Sequence, residues 1–371
     1  MKILITGGAG FIGSHLTDEL VNLGHEVTIF DNLDPQVHPG STPPEHLNKD
    51  AEFIKGDVLD RDAFKKALEG KEAVFHKAAA VGVGQSQYMI NYYTSVNIMG
   101  TSNLLDILAN EKHSIGKVVV AASMSSYGEG TYECKKCGSV RPELRTVNQM
   151  EKGDWNNYCP SCGEAVTPVP TPESSKQNIN SIYAITKMNQ EQMVLNIGQT
   201  YDIPSVALRY FNVYGPRQSL SNPYTGVAAI FMSRIKNGNR PAVYEDGMQT
   251  RDFISVYDIV QSNIRALETE KGNYRSFNIG CGKPLTIKSI AETLAELYGR
   301  GDIKPEILGK YRKGDVRHCY ADTTSAKELL GFEAKTGFAE GMASLIEWAR
   351  DAESEDRFDD AAAELKKKGL I

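Results

Sequence analysis

Two pairs of cysteines, each separated by two residues, are the clearest sign of chemistry in the chain. The first pair is Cys134 and Cys137, the second is Cys159 and Cys162, and 21 residues lie between the pairs. A glycine follows each pair. Two such pairs can supply the four thiolates of a tetrahedral zinc ion, and they leave no coordination position for water or substrate. The spacing therefore predicts a structural zinc ribbon.

Two disulfides or free thiols are the alternatives to zinc. Nothing in the sequence points to an oxidising compartment, which is where disulfides persist. Cys281 and Cys319 have no partner at a similar spacing, so we expect them to be ordinary buried thiols. Zinc is therefore the preferred interpretation of the two pairs.

A glycine-rich turn near the N-terminus has the spacing of a dinucleotide-binding loop. The letters GAGFIG at 8–13 follow an apolar run and open a helical pattern, and Gly7 adds a second glycine pattern. Glycines let the backbone approach a pyrophosphate, which then lies at the N-terminus of the helix. Asp31 ends the second apolar run, where a carboxylate accepts hydrogen bonds from a ribose and repels a 2′-phosphate. The loop predicts NAD rather than NADP. Asp57 and Val58 are candidates for the edge of the adenine, with a plain surface turn as the alternative.

Tyr183 and Lys187 lie four positions apart, so on a helix both side chains project from one face. A free tyrosine has a pKa near ~10, and proton transfer near neutral pH needs about 4 kcal/mol of selective phenolate stabilisation. A lysine ammonium and a positive nicotinamide ring could provide it. Ser123 ends the fifth apolar run, where parallel sheets bind their ligands. Together the three residues predict proton chemistry beside a dinucleotide.

The elements that must position these residues alternate between short apolar runs and helical patterns. This alternation predicts an α/β fold with a doubly wound parallel sheet of the Rossmann type and helices on both faces. The second half is mixed and predicts a smaller substrate lobe, with helices near 227–236, 287–298 and 339–350 and a strand pair near 242–244 and 253–256. The predicted division is a cofactor-binding part (1–129), the cysteine insertion (130–172), a returning part (173–215), the substrate lobe (216–350) with returning Rossmann segments near 251–281, and a charged tail (351–371).

Composition excludes several classes of function. The 371 residues are 41% apolar and 24% charged, which is ordinary for a soluble globular protein. A net charge of −6 gives no field for attracting phosphate polymers, which argues against a nucleic-acid partner. No apolar run has the length of a signal peptide core or a membrane span, so we expect a cytoplasmic protein without a membrane partner.

An ordered series of motifs resembles the extended short-chain dehydrogenase/reductase superfamily, and within it the NAD-dependent nucleotide-sugar epimerases and dehydratases. The resemblance covers roughly residues 1–345 apart from the insertion. It rests on the glycine loop at 7–13, DNL at 31–33, GDV at 56–58, HKAAA at 76–80, Asn97 with Gly100 and Thr101, the segment 123–128, Tyr183 with Lys187, RYFNVYGP at 209–216, RDF at 251–253 and RKGD at 312–315.

The resemblance implies a role for each matching residue. Tyr183 is the acid/base, Lys187 its electrostatic partner and a ligand of the nicotinamide ribose, and Ser123 a hydrogen-bonding assistant. The implied cofactor-binding residues are Gly7, Gly10, Phe11, Ile12, Gly13, Asp31, Asn32, Asp57, Val58, Ala78, Ala79, Ala80, Asn97, Tyr183, Lys187, Tyr210 and Val213. The implied substrate-binding residues are Ser123, Ser125, Asn212, Arg251, Arg312 and Asp315. A solvated surface charge is the alternative for each arginine.

The residues after Ser123 favour one reaction within this family. Elimination and decarboxylation branches usually place an acid one or two positions later, whereas this chain has Met124 and Ser125. Epimerisation at C4 needs only reversible hydride transfer and one acid/base group. We therefore expect a nucleotide-sugar 4-epimerase, with a 4,6-dehydratase or 4-keto reductase as the nearer alternative. A non-catalytic NAD-binding regulator that uses the ribbon to bind a partner is the more distant one.

Neither the sugar nor its carrier can be read from the sequence, and UDP- and dTDP-hexoses are both compatible with it. The segment 219–226 is expected to line the sugar pocket. Two long helical patterns, before Asn110 and after Ser181, predict a homodimer by family analogy. The cysteine insertion lies between Ser123 and Tyr183, so we expect it at the rim of the substrate pocket or at a subunit contact.

Overall fold

A seven-stranded parallel sheet forms the centre of the computed structural model, which describes residues 1–220, 222, 226–351, 356 and 358–370. Its strand order is β13-β9-β5-β4-β1-β2-β3, and every pairing in it is parallel. The strands of the structure are β1 (Lys2–Thr6), β2 (Glu26–Asp31), β3 (Glu52–Lys55), β4 (Ala73–His76), β5 (Lys117–Ser123), β6 (Thr131–Cys134), β7 (Gly138–Val140), β8 (Thr167–Val169), β9 (Ser205–Tyr210), β10 (Asn212–Tyr214), β11 (Ala242–Val243), β12 (Thr250–Ser255), β13 (Arg275–Ile279), β14 (Pro284–Thr286), β15 (Glu306–Ile307) and β16 (His318–Cys319).

Helices cover both faces of this sheet because successive side chains of each buried strand point to opposite sides. Ile3 and Ile5 pack with the helices at 11–22 and 256–268 on one face. Leu4 packs with the helices at 61–68, 100–110 and 182–200 on the other. The predicted doubly wound sheet is therefore confirmed. The helices are α1 (Phe11–Asn22), α2 (Arg61–Leu68), α3 (Val83–Ser86), α4 (Ile90–Tyr93), α5 (Gly100–Asn110), α6 (Val147–Glu151), α7 (Ile182–Thr200), α8 (Val227–Lys236), α9 (Val256–Glu268), α10 (Ile287–Leu297), α11 (Phe338–Asp351) and α12 (Phe358–Lys367). Short 3₁₀ segments cover Pro39–Ser41 and Met124–Tyr127, and π-helical turns cover Thr94–Met99 and Ala326–Leu330.

The strand order reverses between β1 and β4, which makes a crevice at their carboxyl ends. Loops after these strands meet closely, since a Cβ added to Gly7 would lie 2.8 Å from the backbone nitrogen of Ala78. Open α/β sheets bind their ligands at such a switch point. The fold thus brings the predicted glycine loop and the predicted segment 78–80 to one place.

The cysteine insertion forms a small antiparallel sheet of its own, with β6 between β7 and β8. Cys134 ends β6, and Gly138 begins β7 with φ +75°. Gly163, after the second pair, also has φ +75°, a backbone conformation that favours glycine. Each cysteine pair therefore lies in a tight turn closed by its glycine.

A second core lies between α8, α10 and α11, beside the strands β10, β12 and β14. The predicted helices at 227–236, 287–298 and 339–350 are present with ends shifted by one residue at most. The predicted pairing of the strands near 242–244 and 253–256 is wrong. β11 pairs with β15, whereas β12 pairs with β10, β14 and β16, because each joins a strand distant in sequence rather than its neighbour.

The C-terminal tail returns to the body of the protein. The backbone N–H of Lys313 donates to the carbonyl oxygen of Leu370, and its ammonium donates to that of Gly369. The Lys368 ammonium lies 5.5 Å from the centre of the Tyr88 ring. The described part of the tail is thus helical and docked. Every helix within the described ranges is too short or too polar to cross a membrane.

Candidate active site

Ser123 and Tyr183 converge although 60 positions separate them. Ser123 ends β5 and Tyr183 lies in the first turn of α7, which packs against β5. The Ser123 hydroxyl lies close enough to the Tyr183 phenol to lower its pKa, and it accepts the Ser125 hydroxyl at 2.9 Å and the Ser125 backbone N–H at 3.2 Å. The predicted serine and tyrosine therefore lie together at the carboxyl edge of the sheet.

The start of α7 is fixed by residues around Tyr183. Ser181 caps the helix by accepting the backbone N–H of Ala184 at 3.1 Å, and Ser86 accepts the backbone N–H of Tyr183 at 3.0 Å. Asn180 donates to the carbonyl oxygen of Gly314 at 2.8 Å, which ties the helix start to the segment that carries Asp315. These contacts set where the phenol lies.

Lys187 lies one turn after Tyr183, and 4% of it is exposed. Its ammonium donates to the side-chain oxygen of Gln190 at 2.7 Å, and Gln190 in turn donates to Thr101 at 2.8 Å. Burial lowers the pKa of Lys187 to about 7. The lysine therefore lies in a dry, hydrogen-bonded position beside the predicted acid/base.

Burial raises the pKa of Tyr183 to about 12, and the hydrogen bond from Ser123 opposes that rise. A tyrosine in this state holds its proton near neutral pH. The predicted fall of its pKa toward neutrality is therefore not produced by the protein groups alone. The dry site amplifies any positive charge placed beside the phenol, because the local dielectric is low.

The glycine loop fits a dinucleotide pyrophosphate. A Cβ added to Gly13 would lie 2.2 Å from the carbonyl oxygen of Gly7, so only glycine allows this turn. Gly10 precedes α1, and no side chain caps the first turn of that helix, which Phe11 and Ile12 begin. The N–H groups of that turn are therefore directed at the crevice, as an anion-binding helix N-terminus requires.

The predicted ribose and adenine residues lie next to one another. Asp31 is 8% exposed, and its carboxylate accepts the backbone N–H groups of Ala9 at 3.0 Å and Leu33 at 2.9 Å. Asn32 donates to Asp57 at 3.0 Å, which joins the loops after β2 and β3. Val58 is buried beneath Gly100, whose added Cβ would lie 2.5 Å from it. Each carboxylate oxygen of Asp31 retains a lone pair for a ribose hydroxyl.

Asn97 holds the segment 78–80 by its side-chain amide. The Asn97 oxygen accepts the Ala80 N–H at 2.7 Å, and its nitrogen donates to the Ala80 carbonyl at 3.1 Å and to Thr186 at 2.9 Å. Asn97 is fully buried in the π-helical turn, a feature that often marks functional sites. Asn97 therefore orders the main chain around Ala79 and ties it to α7.

Tyr210 and Val213 lie on the α1 and α9 side of the sheet. The Tyr210 hydroxyl accepts from the buried Lys77 ammonium at 2.9 Å and is also hydrogen-bonded to Asn263. Burial drives the pKa of Lys77 well below its ordinary value, and Lys187 adds a smaller effect in the same direction. The Tyr210 hydroxyl is thus engaged within the protein core.

The three charged residues predicted to bind substrate form one cluster. Arg251 donates to one oxygen of Asp315 at 3.2 Å, and Arg312 donates to the other oxygen at 2.9 Å. Burial opposes ionisation, but Arg312 and Arg251 hold the pKa of Asp315 below its ordinary value. Asn212 contributes a buried side-chain oxygen that has no hydrogen-bond partner in the part of the chain that the structure describes. Such an orphaned polar atom indicates a ligand position.

Part of the predicted sugar pocket can be located. Gln218 and Leu220 are buried, and Gly226 precedes α8. Of the predicted segment 219–226, Ser221, Pro223, Tyr224 and Thr225 lie outside the described residues.

Several residues that support the site were not predicted from the sequence. Their signals are weak, since a lone serine, asparagine or glutamine has many uses. A serine before a helical pattern is typical of a helix N-cap, so Ser181 could have been predicted. Gln190 could also have been predicted, since it lies at helical spacing from Lys187. The unpredicted residues are Ser86, Lys77, Asn180, Ser181, Gln190 and the buried ions Glu129, Arg145 and Glu245.

The four paired cysteines converge on one point. Their sulfur atoms all lie within 4.8 Å of one another, and the sulfurs of Cys134 and Cys162 are 3.6 Å apart. A tetrahedral zinc ion with bonds of ~2.3 Å separates its sulfurs by about 3.8 Å. All six cysteines are unpaired, and a disulfide would need about 2 Å. The arrangement therefore fits zinc and not two disulfides.

The fold has the parallel sheet and crevice of dinucleotide-binding proteins, and Ser123, Tyr183 and Lys187 lie together at the carboxyl edge of that sheet. The family model for the NAD dependent epimerase/dehydratase family matches residues 3–148 and 158–280, and the chain belongs to this family.

Known proteins extend this result. A dTDP-L-rhamnose 4-epimerase of Burkholderia thailandensis is 33% identical, over 94% of each chain. The structure of a UDP-glucose 4-epimerase from Thermotoga maritima with UDP-glucose is similar with a TM-score of 0.76 and 31% identity, covering 94% of this chain and 99% of that one. A UDP-glucose 4-epimerase of Thermus thermophilus in complex with NAD has a TM-score of 0.75 at 27% identity, covering 95% and 100%. The predicted family is confirmed, and the relatives' names agree with the predicted reaction.

Proposed function

We propose that this protein is an NAD-dependent nucleotide-sugar 4-epimerase that acts on a UDP- or dTDP-hexose. The observation that carries the proposal is the convergence of Ser123 at the end of β5 and Tyr183 at the start of α7, with Lys187 buried one helical turn away. Met124 and Ser125 follow the serine in place of the acid of an elimination branch. Ser125 instead donates its hydroxyl to Ser123. An acid/base without a second acid suits epimerisation better than loss of water.

The proposed reaction oxidises the C4 alcohol to a 4-keto sugar and reduces it again on the opposite face. A bound NAD, held by the glycine turn and Asp31, would supply the hydride acceptor and donor for C4 and a positive charge for the phenol. Tyr183 takes the C4 hydroxyl proton and later returns it, while Ser123 hydrogen-bonds the reacting oxygen. Lys187 supplies positive charge beside the phenol when its ammonium is protonated. Lys187 is buried and Tyr183 is partly buried beside it, which limits the access of water that would compete for the proton.

We propose that the dinucleotide is held by the predicted cofactor-binding residues. The glycine turn and the free first turn of α1 fit its pyrophosphate, and Asp31 retains acceptor capacity for the adenosine ribose. Asn97 acts by holding the main chain of the segment 78–80. The Tyr210 hydroxyl is hydrogen-bonded to Lys77, so we propose that Tyr210 contacts the dinucleotide through its backbone or its ring edge.

The proposed substrate-binding group consists of Arg251, Arg312, Asp315 and Asn212, with Ser123 and Ser125 at the reacting sugar. Guanidinium groups bind diphosphates well because their planar donors match phosphate oxygens. Asp315 lies between the two arginines, where its carboxylate both orients them and can accept a ribose hydroxyl. The orphaned oxygen of Asn212 supports its place at the ligand.

We also propose a structural zinc ion on Cys134, Cys137, Cys159 and Cys162. The sulfur spacing and the two glycine-closed turns support it.

The predicted division of the chain, with the insertion at 130–172, is kept as a proposal. It is supported by the separate sheet of β6, β7 and β8 and by the separate core of the second lobe.

We also propose a cytoplasmic location, and the unpaired thiols support it because they are typical of a reducing compartment.

A homodimer is proposed through the face formed by the π-helical turn, α5 and α7. Met99 is 54% exposed and Ile185 is 38% exposed on this face. Apolar side chains on two adjacent helices gain stability when a second copy covers them.

The direct test is proton NMR of the purified protein with a panel of UDP- and dTDP-hexoses and no added coenzyme. New anomeric signals of a C4-inverted sugar are expected with at least one member. A keto product that accumulates, or stoichiometric use of NADH, would instead identify a dehydratase or reductase. No reaction with any member would remove the proposal.

A further inference from the structure

The inserted segment carries a buried arginine into the proposed nucleotide site. Arg145 precedes α6 in the insertion, and its side chain is 2% exposed. One of its terminal nitrogens donates to the Glu245 carboxylate at 2.8 Å, and the other donates to the carbonyl oxygen of Asp315 at 3.0 Å. These partners are 100 and 170 positions away in the sequence. The charge of Arg145 is thus paired with a buried carboxylate, as a buried arginine requires, while its Nε has no hydrogen-bond partner among the described residues and lies 4.0 Å from Glu129.

The backbone that Arg145 holds is the backbone that orients Arg251. Arg251 donates to the carbonyl oxygens of Val316 at 2.6 Å and Arg317 at 3.2 Å, as well as to the Asp315 carboxylate. A shift of the segment 315–317 would therefore move the Arg251 guanidinium. It would also move the carboxylate that holds Arg312.

Two buried carboxylates complete the attachment. Glu129 is 1% exposed and accepts the backbone N–H of Arg317 at 2.7 Å, while its oxygen lies 4.0 Å from Arg145. Glu245 accepts from both Arg145 and Arg317, and its backbone has φ +54°, a costly conformation for a residue other than glycine. Packing and charge together fix this geometry.

The attachment continues to both cysteine pairs. Tyr132, two positions before Cys134, donates its hydroxyl to Glu129 at 2.8 Å. Asn157, two positions before Cys159, donates to the Tyr132 hydroxyl. The ribbon and the nucleotide site thus share one continuous hydrogen-bonded network.

We propose that Arg145 is a positioning residue for the nucleotide: it fixes the segment 315–317, and thereby sets the reach of Arg251 and Arg312 toward a nucleoside diphosphate. This inference rests on the proposed function, because it takes those arginines as the diphosphate ligands. Arg145 itself does not touch the substrate. A ligand clamp that is displaced by a fraction of an ångström loses affinity, so Arg145 governs binding of the nucleotide rather than the chemical step.

The charge environment supports this assignment. Arg145 faces Glu129, Glu245 and Asp315 from three different elements, and Arg251, Arg312 and Arg317 lie on the same carboxylates. Arg145 also contributes to holding the pKa of Asp315 below its ordinary value, after Arg312 and Arg251 and against the effect of burial. Removal of Arg145 would take one neighbouring cation away from the buried carboxylates of Glu129 and Glu245.

The test compares Arg145→Met, Arg145→Lys and Arg251→Met with the wild type, using UDP and dTDP as probes in calorimetric titrations. Arg145→Met should weaken the better probe about tenfold, with kcat at saturating sugar and bound NAD within about twofold of wild type. Arg145→Lys keeps the charge and should recover part of the affinity. Arg300→Met, an exposed arginine paired with Asp302, is the matched control and should bind as the wild type does.

The outcomes separate this inference from the proposed function. If Arg251→Met loses binding while both Arg145 variants bind like the wild type, the positioning role is overturned and the epimerase proposal stands. If the wild type binds neither probe, the proposed nucleotide site fails and the inference fails with it. If Arg145→Met does not fold, the Lys variant decides, since wild-type affinity in that folded variant overturns the inference.

Discussion

At the scale of single residues, the account depends on a tyrosine that the protein by itself keeps protonated. Burial raises the pKa of Tyr183 to about 12 and lowers that of Lys187 to about 7. Both shifts arise because a dry site disfavours the charged form of each group. A positive charge placed beside the phenol would oppose this shift of the Tyr183 pKa, and the proposed dinucleotide site is where such a charge would come from.

Tyr183→Phe should lower kcat by about 10²–10⁴, because it removes the acid/base and leaves the ring packing intact. Affinity for UDP or dTDP and the amount of bound NAD should not change. Steady-state kinetics on the sugar identified by NMR measure the effect. Tyr201→Phe, in the exposed residue that ends the same helix, is the control. Turnover in Tyr183→Phe equal to that of the wild type would contradict the assigned role.

The buried Lys187 should make stability depend on pH. Its folded-state pKa is about 7 and lies below its ordinary value, so between about pH 7 and 10 the unfolded chain binds more protons. The burial penalty is complete below that window and disappears as the pH rises through it. The melting temperature of dinucleotide-stripped wild type should therefore rise, relative to Lys187→Met, from about pH 7 to 9. Lys327→Met, an exposed lysine, should show no such difference. If the melting temperatures of wild type and Lys187→Met changed equally with pH, the burial of a neutral amine at Lys187 would be contradicted.

At the scale of elements, local patterns predicted the parts of the site that lie on one strand or one helix. The glycine turn, the end of β5 and the Tyr183–Lys187 spacing are all local, and the structure has each where the pattern indicated it. Asn97, predicted to bind the cofactor, lies in a π-helical turn, and its amide hydrogen-bonds the Ala80 backbone, a contact that the sequence did not indicate. The strand pairing of β11 and β12 was wrong because period and composition do not identify strand partners.

The ribbon is the element whose removal should affect substrate more than cofactor. Cys159→Ser should abolish a zinc content of about one ion per chain and weaken UDP or dTDP binding, while bound NAD is retained. The physical reason is the network from Tyr132 and Asn157 to Glu129.

Metal analysis and titration calorimetry measure this effect. Cys281→Ser, which alters a thiol outside the ribbon, is the control. Equal loss of NAD and nucleotide in Cys159→Ser would indicate that the ribbon supports the whole fold. Absence of metal from the wild type would remove the zinc proposal.

At the scale of the whole molecule, the residues of the proposed site come from the central sheet, the second core and the inserted segment. Ser123 and Tyr183 come from the central sheet and its helix, Arg251 from β12, and Arg145 from the insertion. Contacts such as Arg145 with Asp315 join residues 170 positions apart, and no local pattern in the sequence indicates them. The cofactor half of the site was therefore more predictable than the substrate half.

The proposed homodimer should depend on the exposed apolar face beside α5 and α7. Met99→Glu combined with Ile185→Glu should shift the protein to a monomer, because each charge would be buried at the interface. Light scattering after size exclusion measures the mass. Met248→Glu changes an equally exposed methionine in the other lobe and should leave the mass unchanged. An unchanged mass in the double variant would exclude this face as the interface.

The central claim is that one hydride leaves C4 and returns to the same carbon. The most direct measurement follows a nucleotide sugar deuterated at C4 during epimerisation in ordinary water, with no added coenzyme. The sugar should be inverted at C4 with its deuterium retained there, because the hydride does not exchange with solvent while Tyr183 moves only the hydroxyl proton. Inversion with loss of deuterium to water would contradict it.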